Sequence, residues 1–169
     1  MTGVALRSAF VILTAMVLQA SLLAQVRFFG VSVDLLLVVA VAAGLVGGPD
    51  RGAIIGFFAG VAMDLLVQTP FGLSALTYLI VGYLSGMTLR FNLRVLWWFP
   101  MVVAGTAGSL SVILFALLGE IVGQSLLSLP NLTEIVLVVG VTSALLVVPA
   151  TWVVRWAARP EQMEGPAVI

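Results

Sequence analysis

A chain of 169 residues that is 62% hydrophobic and 8% charged, with a mean hydropathy of +1.26, has too little polar surface for a soluble globular domain. Seven arginines balance seven acids for a net charge of zero, which leaves no cationic surface for nucleic acid. The chain has no Lys, His or Cys, so imidazole and thiolate nucleophiles, Schiff-base chemistry, disulfides and the usual nitrogen and sulfur metal sites are excluded together. No catalytic residue, cofactor or metal site is expected.

A bilayer core of about 30 Å takes about 20 helical residues, and six apolar runs of suitable size lie between charges and turn residues. Their approximate spans are 8–24, 34–47, 52–68, 72–89, 95–118 and 133–156. The first lies between Arg7 and Arg27, and its uncharged stretch exceeds the roughly 7 to 15 residues of a signal-peptide core, so an uncleaved helix is expected. The second starts at Asp34 and stops at Gly47-Gly48-Pro49-Asp50; the third ends at Thr69-Pro70; Arg90 and Arg94 close the fourth. The sixth follows the turn Ser128-Leu129-Pro130-Asn131. Residues 116–129 mix Gly119, Glu120, Gly123 and Gln124 with leucines, which suits either an extended fifth helix or a segment along the interface. The expected fold is an all-α integral membrane protein, one six-helix domain over residues 1–157 with a short tail, 158–169, and no soluble domain.

With alternating helix directions, Arg7, Arg51, Arg90, Arg94, Arg155 and Arg159 share one side, and Arg27 alone is on the other. Positive charge in short loops marks the cytoplasmic side, so both termini are expected there. Trp97, Trp98, Trp152 and Trp156 all fall at that same interface, where an indole suits the headgroup level. Arg90, Arg94, Arg155 and Arg159 suit orientation, with binding to anionic lipid or to a cytoplasmic partner as the other reading.

Gly52, Gly56, Gly60, Asp64 and Gln68 form an i, i+4 series, which makes one ridge on the third helix. Small residues at this spacing let helix backbones approach closely, either within the chain or against another protein's helix. Gly82 and Gly86 repeat the spacing on the fourth helix, and Gly105 with Ser109 on the fifth. Asp64 lies roughly 20 Å along its helix from Arg51, and a carboxylate at membrane depth costs about 2.5 to 3.5 kcal/mol at the centre and less near an interface. Two readings stand: a packing or partner-binding acid held by donors from a neighbouring helix or from the turn near Pro70 to Gly72, or an interfacial acid reaching water. Asp34, at a helix start, suits capping or a contact with Arg27 or a partner. Asp34 and Asp64 do not form an intramembrane aspartyl protease signature, since Gly60 stands four residues before Asp64 and the Gly-x-Gly-Asp pattern is absent.

From Val31 to Gly86 the features follow a specific order: Asp34-Leu-Leu-Leu37, a Gly-Pro turn with Arg51, Gly52-Ala53-x-x-Gly56-Phe57-x-x-Gly60-x-x-x-Asp64-Leu65-Leu66, Thr69-Pro70-x-Gly72-Leu73-x-Ala75-Leu76, and Gly82-Tyr83-Leu84-x-Gly86. This order resembles the MreD family of bacterial rod-shape-determining membrane proteins. The resemblance implies a multi-pass, non-enzymatic scaffold of the cell-elongation machinery in the cytoplasmic membrane. Its implied partners are MreC, the RodA-type peptidoglycan polymerase, its transpeptidase, and MreB beneath the membrane. It also implies an architecture like that of the substrate-binding subunits of energy-coupling-factor transporters, so a vitamin-type transporter subunit is the alternative function. The family motif falls on Gly56, Gly60, Asp64, Pro70 and Gly72, and its acid on the second helix on Asp34.

Overall fold

The computed structural model describes residues 2–23, 27–28, 31–32, 34–67, 71–88, 98–124 and 131–158. Among them the chain is an all-α bundle of six helices: α1 (Thr2–Leu18), α2 (Leu35–Gly47), α3 (Pro49–Leu66), α4 (Leu73–Met87), α5 (Phe99–Ile121) and α6 (Leu132–Ala157). A π-helical turn, Gln19–Leu23, continues α1, and a two-residue antiparallel pair joins Arg27–Phe28 to Val31–Ser32. Two helices, α5 and α6, are long and apolar enough to cross a membrane.

The helix ends follow from local chemistry. Asp34 caps α2 by accepting from the Leu37 N–H at 3.0 Å. Between α2 and α3 stands Gly48 alone, at φ 90° and ψ 179°, a mirror-extended conformation open essentially to glycine and costing a residue with a Cβ about 1–3 kcal/mol. Pro49 then occupies the first turn of α3, where its missing N–H would have had no partner. At the far end of α5, Gly123 at φ 84° donates to the Glu120 carbonyl at 3.0 Å while Gln124 donates to Gly119 at 2.9 Å, the paired bonds of a Schellman motif. Thus α5 extends to Ile121, beyond the expected 118, and of the two readings for 116–129 its first half is helix. The first helix begins earlier than residue 8, at Thr2, because neither Ser8 nor Arg7 interrupts the backbone ladder.

The second helix is the centre of the bundle. Leu36 to Leu45 are all buried, which accounts for a sequence apolar on every face. The most extensive helix pair is α3 with α4, and α5 packs chiefly on α6. Outward faces carry unbroken apolar stripes. On α6 the stripe is Leu137, Val141, Leu145, Val148 and Trp152; on α1 it is Leu6, Phe10, Leu13 and Val17.

Candidate helix-packing and capping site

The glycines of α3 meet α4 backbone to backbone. A Cβ built on Gly52 falls under 3.0 Å from the carbonyl of Gly82, one on Gly56 meets the carbonyl of Tyr78, and one on Gly60 meets Ser74 and Ala75. Gly82 returns the contact to Gly52, while Gly86 sits against Gly48 and Pro49. Gly44 of α2, which the spacing did not single out, closes on Gly82 and Gly86 and so seats both helices on the central one. The antiparallel register thus steps one turn at a time along both helices, with no side chain between the backbones.

One further turn along α3 is Asp64, 5% exposed. The register brings it to the start of α4, where Gly72 is the N-cap residue and has no side chain to cap with. The carboxylate supplies what is missing. Its Oδ2 accepts from the N–H of Gly72 at 2.8 Å and of Ala75 at 3.3 Å, and its Oδ1 accepts from Ser74 at 3.0 Å. Three of the first-turn donors of α4 are satisfied by one side chain of a neighbouring helix, and the negative charge lies at the positive end of the α4 dipole. Of the two readings of Asp64, its position matches donors supplied by a backbone turn near Gly72. The series does not continue as helix to Gln68, because Val67 is already extended (φ −107°, ψ 136°). Gln68 and Pro70 lie outside the described residues.

Asp34 is held similarly. Besides capping α2, its Oδ2 accepts from the hydroxyl of Tyr78. Tyr78 is buried in the middle of α4, and its carbonyl is the one that faces Gly56. The free N–H of Leu35, first residue of α2, donates to Gln19 Oε1 at 2.8 Å. Tyr78 and Gln19 were not singled out from the sequence. Their signal was there: a tyrosine within an apolar helix needs a partner for its hydroxyl, and a glutamine at the end of an apolar run needs one for its amide. Of the two readings of Asp34, the structure shows the capping one, and the Arg27 side chain lies outside the described residues.

The pair α5 and α6 is looser. Gly105 would admit a Cβ at 3.5 Å from Ala144 and Gly140, whereas Gly140 faces Ser109 Oγ and Gly108 faces Ser143. Ser109 donates to the Val136 carbonyl at 3.3 Å. At the opposite end from the two acids, the Arg7 guanidinium lies 5.9 Å from the ring centre of Trp156, which puts the start of α1 beside the end of α6. Trp98, Trp152 and Trp156 are exposed, as are Arg51 and Arg155. Trp97, Arg90, Arg94 and Arg159 lie outside the described residues. No family model, curated protein or solved structure matches the chain.

Proposed function

We propose that the chain is a non-enzymatic scaffold subunit of the bacterial lateral peptidoglycan-synthesis machinery, a six-span protein of the cytoplasmic membrane with both termini inside, working with MreC. The exposed apolar stripes on α1 and α6 support the membrane assignment, since a water-soluble monomer rarely leaves such patches uncovered. The juxtaposition of Arg7 with Trp156 supports termini on a common side. The observation that carries the functional reading is the convergence of Gly56, Gly60, Asp64 and Gly72 on one helix-turn-helix unit. These are four of the five motif positions of the resemblance to the MreD family, Pro70 lying outside the described residues, and their acid is occupied by backbone donors, an architectural task.

Affinity purification from native membranes in mild detergent, with identification of bound proteins, tests the proposal. MreC or the elongation polymerase in the eluate is the expected result. A transport ATPase module in their place refutes it in favour of a transporter subunit. The topology has its own test: a cysteine at Ala158, in a chain without native thiols, is expected to resist an impermeant reagent outside intact cells, and its labelling would overturn the orientation.

A further inference from the structure

A groove of about 790 Å³ runs between α1, α2, α3 and the end of α6, within the roughly 300–1,000 Å³ of sites that hold small molecules. Its walls are apolar: Ala9 and Ile12 from α1 and Ile55 and Phe58 from α3. The polar side chains that line it are Ser8 and Arg51, and Arg51 alone carries a charge. An arginine in the first turn of a helix lies at the positive end of the dipole, where a cation is disfavoured. Arg51 nevertheless lies over the end of α2: a Cβ on Gly47 would come within 2.5 Å of its Cδ and 2.9 Å of its Cβ. Gly47 therefore gives the arginine stem room to lie at the mouth of the groove. Asp50 belongs to the neighbouring face of the helix, since adjacent helical residues do not face each other, and it does not line the groove.

We infer that the groove binds one anionic phospholipid, an acyl chain lying between α1 and α3 and the phosphate on the Arg51 guanidinium. The inference rests on the membrane assignment proposed above. In a bilayer an empty apolar groove forfeits the contacts of its lining, so lipid chains fill it. Charge complementarity decides which lipid, because a guanidinium favours a net-negative headgroup over a zwitterionic one.

The test is native mass spectrometry of the full chain in mild detergent, supplied with phosphatidylglycerol or phosphatidylcholine of identical acyl chains. Retention of phosphatidylglycerol is expected to exceed that of phosphatidylcholine by about tenfold, the size of one charge-assisted hydrogen bond. Arg51→Gln should bring the two lipids level. Ala9→Phe, at an exposed position of α1, should fill the groove and lower retention of both while leaving the helix content unchanged. Equal retention of the two lipids by the unaltered chain, or a preference that survives Arg51→Gln, overturns the inference. So does a photo-crosslinker at Ala9 that captures a polypeptide in place of lipid. Release of the chain from membranes by alkaline carbonate overturns the membrane assignment and the lipid site together, whereas firm insertion with equal retention overturns the lipid site alone.

Discussion

Gly52→Ala and Gly105→Ala make the same chemical change inside two helices and are expected to have opposite effects. In a helix interior alanine is favoured over glycine by about 0.8–1 kcal/mol, and that gain applies to both. At Gly105 the new methyl group meets Ala144 and Gly140 at 3.5 Å, ordinary contact distance, so the variant should keep most of the gain. At Gly52 it falls under 3.0 Å from the carbonyl carbon and oxygen of Gly82 and from the Cα of Gly44. All three are backbone atoms, on two different helices, so no side chain can rotate away and α2 or α4 must shift. Overpacking of this kind costs about 1–3 kcal/mol, and a clash with two helices at once belongs in the upper half of that range. Subtracting the helical gain leaves Gly52→Ala destabilised by about 1–2 kcal/mol, and separates the two variants by about 2–3 kcal/mol. Reversible unfolding in mixed micelles of a mild detergent and dodecyl sulfate, followed by tryptophan fluorescence, measures the difference. Equal stability of the two variants would refute the backbone-to-backbone seam.

Three further variants probe the capping groups. Asp64→Asn retains one acceptor oxygen, enough for Gly72 and Ala75 but not for Ser74, and should cost about 1–3 kcal/mol for the buried donor left over. Asp64→Leu leaves all three donors unmatched and should lose at least twice as much, together with complex formation; equal losses would mean that the negative charge itself is required. Tyr78→Phe removes the hydroxyl that reaches Asp34 and should destabilise by about 1–3 kcal/mol in the same unfolding assay, with an unchanged midpoint counting against that bond. Gly48→Ala meets no neighbour within 4 Å but must hold φ 90° with ψ 179°, so its cost of about 1–3 kcal/mol is backbone strain, and an unchanged midpoint in the unfolding assay would count against that strain.

The glycine spacing was legible in the sequence because small residues four apart have one structural use, close approach, and Gly52, Gly56 and Gly60 each meet the α4 backbone. The direction of approach was not, since spacing alone does not name the helix opposite. Asp64 stood out by its cost in an apolar run, and the turn near Gly72 was a nearby source of donors. Tyr78 and Gln19 were missed for a different reason. Each makes its bond across 44 or 16 residues of chain, and no local pattern encodes a partner at that separation. The burial of α2 on all sides was implicit in its unbroken apolar sequence, but an apolar run of that length serves equally against lipid or inside a bundle, and periodicity does not separate the two.

Helix length explains why the polar residues gather where they do. On the membrane assignment proposed above, α5 and α6, with 23 and 26 residues, reach about 35 and 39 Å and exceed a hydrocarbon core of about 30 Å. Their ends therefore lie in the interface, where water satisfies the terminal carbonyls and N–H groups, and the end of α5 needs only Gly123. The 13 residues of α2 and 15 of α4 reach only about 20 and 22 Å. A helix that short begins or ends below the surface, where four unpaired N–H groups have no water and each costs several kcal/mol. Among the described residues, side-chain acceptors meet the N-termini of both short helices: Gln19, together with the helix's own cap Asp34, for α2, and Asp64 of α3 for α4. A carboxylate in an apolar helix is expensive when considered alone. Placed at the sunken N-terminus of a neighbour it replaces water for up to three donors, and the short helix can then serve as a rigid part of the bundle core.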